Sequence, residues 1–283
     1  MARPREPDPS LLSINTATLW ESCNLRRAVE AIGRHGIRGI APWRDRIAEA
    51  GLGEAARILG DSGLVVTGLC RGGMFPSADS RGRQAAVDEN RRAIDEAATI
   101  GARCLVIVAG GLHPGSKDLL GSRLMVRDGL GAILEHARSS GIPLAVEPLH
   151  PMYCADRACI NTLGQALDLC DELDPPASGA VGVVVDVYHV WWDPHLQRQI
   201  ARAGNRRLLG FHICDWLVPT RELLRDRGMM GDGVIDIPQI RGWMEAAGYR
   251  GMHEVEILSV NHWWKKDPDE VLSMCRARHQ MAS

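Results

Sequence analysis

The chain has no Cys-x-x-Cys, no paired cysteine spacing and no charge-free run of about 18 apolar residues. Its eight cysteines stand singly. That pattern argues for a reducing compartment, against a disulfide framework and against a thiolate zinc site. No membrane span is expected. Neither sign of charge dominates: 33 Lys and Arg stand against 35 Asp and Glu, a formal net charge of −2. With the signs mixed along the chain, no basic field points to nucleic acid or an anionic membrane as a partner. The opening MARPREPDPS is charged and proline-rich, without an apolar core. Residues 1–10 therefore read as a disordered leader, neither signal peptide nor anchor, and a cytoplasmic location is the expectation.

What is present is a regular alternation. A chain of 283 residues with 45% hydrophobic content can bury a sizeable core. LLSINTATL (11–19) is β-like and is followed by the amphipathic NLRRAVEAIGRHG (24–36), which ends on a glycine stop. The same pairing recurs through LVVTGLCRGG (64–73), CLVIVAGG (104–111), IPLAVEPLHP (142–151), VGVVVDVYHV (181–190), LLGFHICDW (208–216) and MHEVEIL (252–258). With IRGIAPWRD (37–45) these make eight strand-like runs, each followed by a helix-like one. Near-continuous apolar strands alternating with helices mean parallel pairing with both faces covered. The predicted fold is a single-domain α/β (β/α)8 TIM barrel over residues 11–283. A doubly wound open sheet is the alternative, weakened because no Gly-x-Gly-x-x-Gly follows the first strand.

In such a barrel the working groups come from the C-terminal ends of the strands. Strand five ends in Glu147, strand six carries Asp186, strand seven His212 and strand eight Glu256. Neighbouring strands lie about 4.8 Å apart, so four inward side chains can meet at one ion. Three carboxylates within apolar runs would repel one another if uncompensated, and a divalent cation is the simplest remedy. Three oxygen ligands and one imidazole form a hard, open site, suited to Mn2+ first and to Mg2+ or Co2+ as alternatives. Glu254 rivals Glu256, because alternation puts both on one face.

The order VEP, DVYH, FHICD and VEIL resembles the xylose-isomerase-like barrels, the sugar isomerase/epimerase superfamily. GDGVIDIPQI (231–240) matches the usual Gly-x-Gly-x-hydrophobic-Asp segment of that family, and GYRGMHEVEILS its last strand. The family pattern puts the ligand at the second glutamate, Glu256. The resemblance implies a metal-dependent isomerase or epimerase that shifts a proton next to a sugar carbonyl through a metal-stabilised enediolate. Glu147 and Glu256 would be acid and base as well as ligands.

His189 is expected to bond a substrate oxygen or steady the metal shell, and His150 to be a further acid/base group or a loop histidine. Trp191, with Trp192, would wall the pocket, while Trp263 and Trp264 would reach over the mouth or cap the barrel edge. Arg71 and Arg227 are candidates for a substrate oxygen, carboxylate or phosphate; Trp43 and Arg44 for pocket wall. Gly110 and Gly111 allow either close backbone approach or a turn. The ketohexose 3-epimerases of this superfamily carry a further glutamate after the strand-five ligand and an arginine after the strand-seven histidine. EPLHPMYCAD and HICDWLVPT have neither at those spacings. A second reading follows: a lyase cleaving a 3-keto-glycoside, similar to C-glycoside deglycosidases, with His150 as base and a second subunit as partner. Two others are weaker. An endonuclease-IV-like enzyme needs histidine and acidic ligands on the earlier strands, which offer Asn15, Arg44 and Arg71; a non-catalytic sugar sensor would not need a full ligand set. The expected ligand is a small sugar or keto-sugar glycoside, and a homo-oligomer is left open.

Overall fold

The apolar runs become short strands, as the computed structural model describes for residues 7–282. In chain order they are β1 (Leu12–Asn15), β2 (Gly39–Ala41), β3 (Val65–Val66), β4 (Leu69–Gly73), β5 (Leu105–Val108), β6 (Leu144–Val146), β7 (Val181–Asp186), β8 (Leu208–Ile213), β9 (Asp215–Trp216), β10 (Arg227–Gly228) and β11 (His253–Val255). The helices between them are α1 (Leu25–Arg34), α2 (Arg44–Ala50), α3 (Leu52–Ser62), α4 (Ser80–Thr99), α5 (Leu119–Ser140), α6 (Leu163–Leu173), α7 (Val187–Val190), α8 (Leu196–Arg207), α9 (Ile237–Ala246) and α10 (Pro268–Ala282). Side-chain caps open most of the long ones. Asn24, Asp79, Asp118, Thr162 and Asp236 each accept an N–H from the first turn.

The main sheet runs β3-β2-β1-β11-β8-β7-β6-β5-β4, with every pair parallel. Only Thr67 and Gly68 separate β3 from β4, so the two ends of the sheet are one broken strand. Backbone bonds from Thr67 N to Ile40 O and from Cys70 N to Pro42 O tie both halves to β2 and close the barrel. The molecule is a single-domain TIM barrel. The run expected as one strand over 64–73 is thus realised in two pieces.

The core lies between strands and helices, in one large cluster that includes Ile14, Ile40, Leu105, Ile107, Val183, Phe211 and Ile213. Another expected run stops early. VGVVVDVYHV is strand only to Asp186, whose carboxylate accepts the Tyr188 N–H and turns the next four residues into α7. Of the expected leader, residues 1–6 lie outside the described residues, while Pro9–Leu11 forms a 3-10 turn capped by Asp8. Among the described residues no helix is long and apolar enough to cross a membrane.

Candidate metal centre

Four adjacent strands, β11, β8, β7 and β6, end side by side at the C-terminal rim. Asp186 pairs in register with His212, while Glu147 and Glu256 follow directly on β6 and β11. All four are buried, and one ligand atom from each lies within 4.8 Å of the others. His212 Nδ1 and Glu147 Oε1 are 3.0 Å apart. Both atoms are buried, and neither has a hydrogen-bond partner other than the atom it faces. With the ring neutral, these would be two facing lone-pair donors withdrawn from water, which fit coordination of a shared cation.

Charge points the same way. Glu147, Asp186, Glu254 and Glu256 are all buried around the His212 imidazole and the Arg227 guanidinium, with the His189 ring beside them. Burial pushes the Asp186 carboxyl up to about 7, against the pull of Arg227 and with the help of the Glu147 and Glu256 charges. Burial disfavours an imidazolium at His212, but Glu254 and Glu147 outweigh it and lift the ring to about 10. Both shifts express a negative excess, which a divalent ion would neutralise.

Arg227 sits inside this cluster. Its Nη1 lies 3.1 Å from Asp186 Oδ2 and 2.9 Å from Glu256 Oε2, and its guanidinium stacks 4.5 Å from the Tyr188 ring centroid. Its Nη2 is 3.3 Å from His189 Nε2. Since an arginine can only donate, that nitrogen is the acceptor and the proton is on Nδ1. Burial, then the Arg227 charge, holds His189 well below its ordinary value, so the ring is neutral. His189 Nδ1 is buried without a partner. The residue predicted to contact substrate thus has an unspent donor, whereas Arg227 is already engaged by two carboxylates.

Glu254 and Glu256 separate in depth. Glu254 lies one layer below the rim, opposite His212 and Ser13. Its Oε1 is 3.4 Å from His212 Nε2, and its Oε2 accepts from Thr67 Oγ1 at 2.8 Å. Asn15 Nδ2 bridges the two glutamates, at 2.8 Å from Glu254 Oε1 and 3.1 Å from Glu256 Oε1. Glu254 therefore steadies the far side of the imidazole, while His212 offers Nδ1 to the centre. Sequence reasoning noted Asn15 only as a polar residue at a strand end. Its bridging role depends on contacts some 240 positions away.

The Gly-x-Gly segment also has a local cause. Asp215 Oδ2 accepts from Gly231 N at 2.9 Å and Gly233 N at 2.8 Å, and its Oδ1 accepts from Ile235 N and Trp216 N. A Cβ at Gly233 would come within 2.1 Å of the Trp216 carbonyl oxygen, so only glycine lets the loop close. Nothing in the sequence reading singled out Asp215, although it stands in the HICD motif.

The remaining predicted residues ring the mouth. His150 is half-buried; its ring centroid lies 5.0 Å from Trp216 and 5.7 Å from Trp192. Trp191 packs 5.9 Å from Trp216, and Trp192 donates Nε1–H to the His189 carbonyl. Trp263 is buried in the core, and Trp264 bonds to Ala17 O. Gly110 and Gly111 serve a close backbone approach and not a turn: Gly110 bridges to Ala158, and a Cβ on Gly111 would meet Ala155 O at 2.4 Å. Arg44 is held by Glu89 and Glu96. Trp43 and Arg71 line a separate cavity at the same rim. Tyr153 and Tyr188, which the sequence reading passed over, both donate to Leu223 O and pin the 217–226 loop beside the centre.

Residues 27–277 match the family model described as xylose isomerase-like TIM barrel. No curated protein sequence matches the chain significantly. Among solved structures, protein SMc04130 from Sinorhizobium meliloti 1021 is 58% identical, with a TM-score of 0.94 over 97% of this chain and 99% of that one. The IolI protein, solved with a bound zinc atom, is 19% identical with a TM-score of 0.80, covering 94% and 95% of the two chains. The E. coli 3-keto-D-glucoside 4-epimerase YcjR is 20% identical with a TM-score of 0.72, covering 94% and 99%. The last two likenesses establish the fold alone. With the model matched over most of its length, the chain belongs to the xylose isomerase-like TIM barrel family.

Proposed function

We propose that the protein is a divalent-metal-dependent sugar isomerase or epimerase, which moves a proton at a carbon next to a carbonyl. The observation that carries this reading is the convergence of Glu147, Asp186, His212 and Glu256, buried, within 4.8 Å. When bound there, a divalent ion supplies Lewis-acid polarisation of substrate oxygens; Mn2+ suits three oxygens and one imidazole. The protein does the rest. Glu147 and Glu256 come from the outer two of the four strands, so they flank whatever sits over Asp186 and His212. Glu147, whose Oε1 would hold the ion beside His212 Nδ1, takes the carbon-bound proton on its other carboxylate oxygen. Glu256, fixed by Asn15 and Arg227, returns one from the other flank. The neutral His189 donates Nδ1–H to a substrate oxygen, and the indoles of Trp191 and Trp216 exclude water.

His150 favours a second reading. It stands at the mouth between Trp192 and Trp216, with Nδ1 accepting the Met152 N–H at 3.3 Å and Nε2 left for chemistry. Burial holds it below its ordinary value, as a base requires. A fold neighbour acts on a 3-keto-D-glucoside, and with such a substrate the same proton abstraction would expel the aglycone. Incubating Mn2+-treated protein in D2O with ketoses and 3-keto-glucosides separates the readings. Deuterium at a carbon of an intact sugar supports isomerisation or epimerisation, and a released aglycone supports the lyase. Neither outcome for any substrate would contradict both.

A further inference from the structure

A cavity of about 220 Å3 opens at the C-terminal rim between α2, α4 and the end of β4. Its wall includes Trp43, Cys70, Arg71, Glu89 and Asn90, and its floor is the backbone of Gly72 and Gly73. Gly73 has φ +106, and a Cβ there would fall 1.8 Å from Val108 O. The close approach of β5 therefore requires glycine there. The rim connects this cavity to the centre: Asn15 bonds Glu256, the adjoining Thr16 Oγ1 accepts the Trp43 N–H at 3.0 Å, and Trp43 bridges to Cys70.

The polar groups around this space are accounted for, with two exceptions: the buried Trp43 indole N–H, which has no partner, and Arg71. Glu89 is held by Arg44 at 2.8 Å and by Arg92. The Asn90 amide donates to Gly73 O and Ala86 O and accepts from Gly73 N. Asp45 is exposed at the solvent edge, on the first turn of α2, where the helix dipole favours it. Arg71 is half-buried and has no hydrogen bond or ion pair among the described residues. A guanidinium partly withdrawn from water presents a planar fork of donors, the match for a carboxylate held through two oxygens. One unspent positive charge near Glu89 and Asp45 accommodates a monoanion better than a dianionic phosphate.

We propose that this cavity receives the carboxylate of an acidic sugar, clasped by Arg71 against the Trp43 wall, while the reacting carbon lies over the four-residue centre. This rests on the proton-transfer reading above and narrows its substrate class to sugar acids. Three ketoses that differ only at C6 test it: D-fructuronate with a carboxylate, D-fructose 6-phosphate with a phosphate, and D-fructose with a hydroxyl. Solvent-deuterium exchange is measured with Mn2+-loaded protein, and Mn2+ affinity is measured separately. The carboxylate substrate should exceed the other two in kcat/KM by at least about tenfold. Arg71→Gln should erase that preference, mainly through KM, with Mn2+ affinity unchanged; Arg71→Lys should restore part of it. Equal rates for the three, a preference for phosphate or hydroxyl, no effect of Arg71→Gln, or exchange with none of them by a protein that binds Mn2+ would each overturn the proposal. Failure of the underlying reading shows separately, as wild-type protein that binds no Mn2+, and it takes this inference with it.

Discussion

Glu147, Glu254 and Glu256 are three buried glutamates at one centre, and their partners give them different work. Glu147 keeps an oxygen free, Glu256 is held by Asn15 and Arg227, and Glu254 sits beneath, beside His212. Glu147→Gln keeps the shape and one ligand oxygen but removes the base. It should lower turnover by about 10²–10⁴-fold with the melting temperature nearly unchanged; full activity would remove Glu147 from the acid/base role. Glu254→Gln should instead weaken Mn2+ binding by about 10–100-fold, as loss of a group that orients a ligating histidine does. Unaltered affinity in a Mn2+ titration would deny Glu254 that role. The convergence of Glu147, Asp186, His212 and Glu256 was legible because an ionisable side chain at the end of an apolar run has few other reasons to be there. Depth was not: Glu254 and Glu256 share a face in sequence, and only the contacts with Thr67 and His212 place the first below the second. Arg227 was legible as a charged residue before the Gly-x-Gly loop, but its ion pairs with Asp186 and Glu256 span 41 and 29 positions and carry no local signal.

At the scale of elements, the eight βα units could be read from alternation alone, whereas their interruptions could not. Strand β7 stops at Asp186 because the carboxylate caps the following turn, which aims His189 back at the centre. The break between β3 and β4 lets Thr67 face Ser13 and Glu254, a contact that no periodicity announces. The loop from Gly231 to Ile235 depends on one residue. Asp215→Ala would strand several N–H groups, of which Ile235 N is fully enclosed. We expect a loss of at least about 3 kcal/mol, or about 6–12 °C in Tm for a chain of this size. Asp215→Asn, which keeps one acceptor oxygen, should lose less. Thermal melts that rank the two variants equally would show that the loop stands without Asp215.

Across the whole molecule, the C-terminal rim concentrates chemistry and the opposite face concentrates stability. At that opposite face His253 begins β11, with Nδ1 2.9 Å from His279 Nε2 of α10. Burial first, then mutual repulsion and Arg241, holds His253 down to about 3, with Asp8 opposing. Burial and Arg241 hold His279 down to about 4, again against Asp8. Both pKa values are depressed on folding, so below about 6.5 the unfolded chain binds protons that the folded one refuses. Stability should be flat in this respect above that pH and fall as pH drops toward 4, with a shallower fall in His279→Gln. Melts from pH 7.5 to 4.5 that show the same slope for both proteins would contradict this. The claim on which the functional account depends is that four strand ends hold one divalent ion. Its most direct test is the metal stoichiometry of purified protein after Mn2+ addition, beside Asp186→Asn. One Mn2+ per chain in the wild type and markedly weaker binding in the variant is the predicted result. No bound Mn2+, or equal binding by both proteins, would mean that the four residues serve the fold and not a metal.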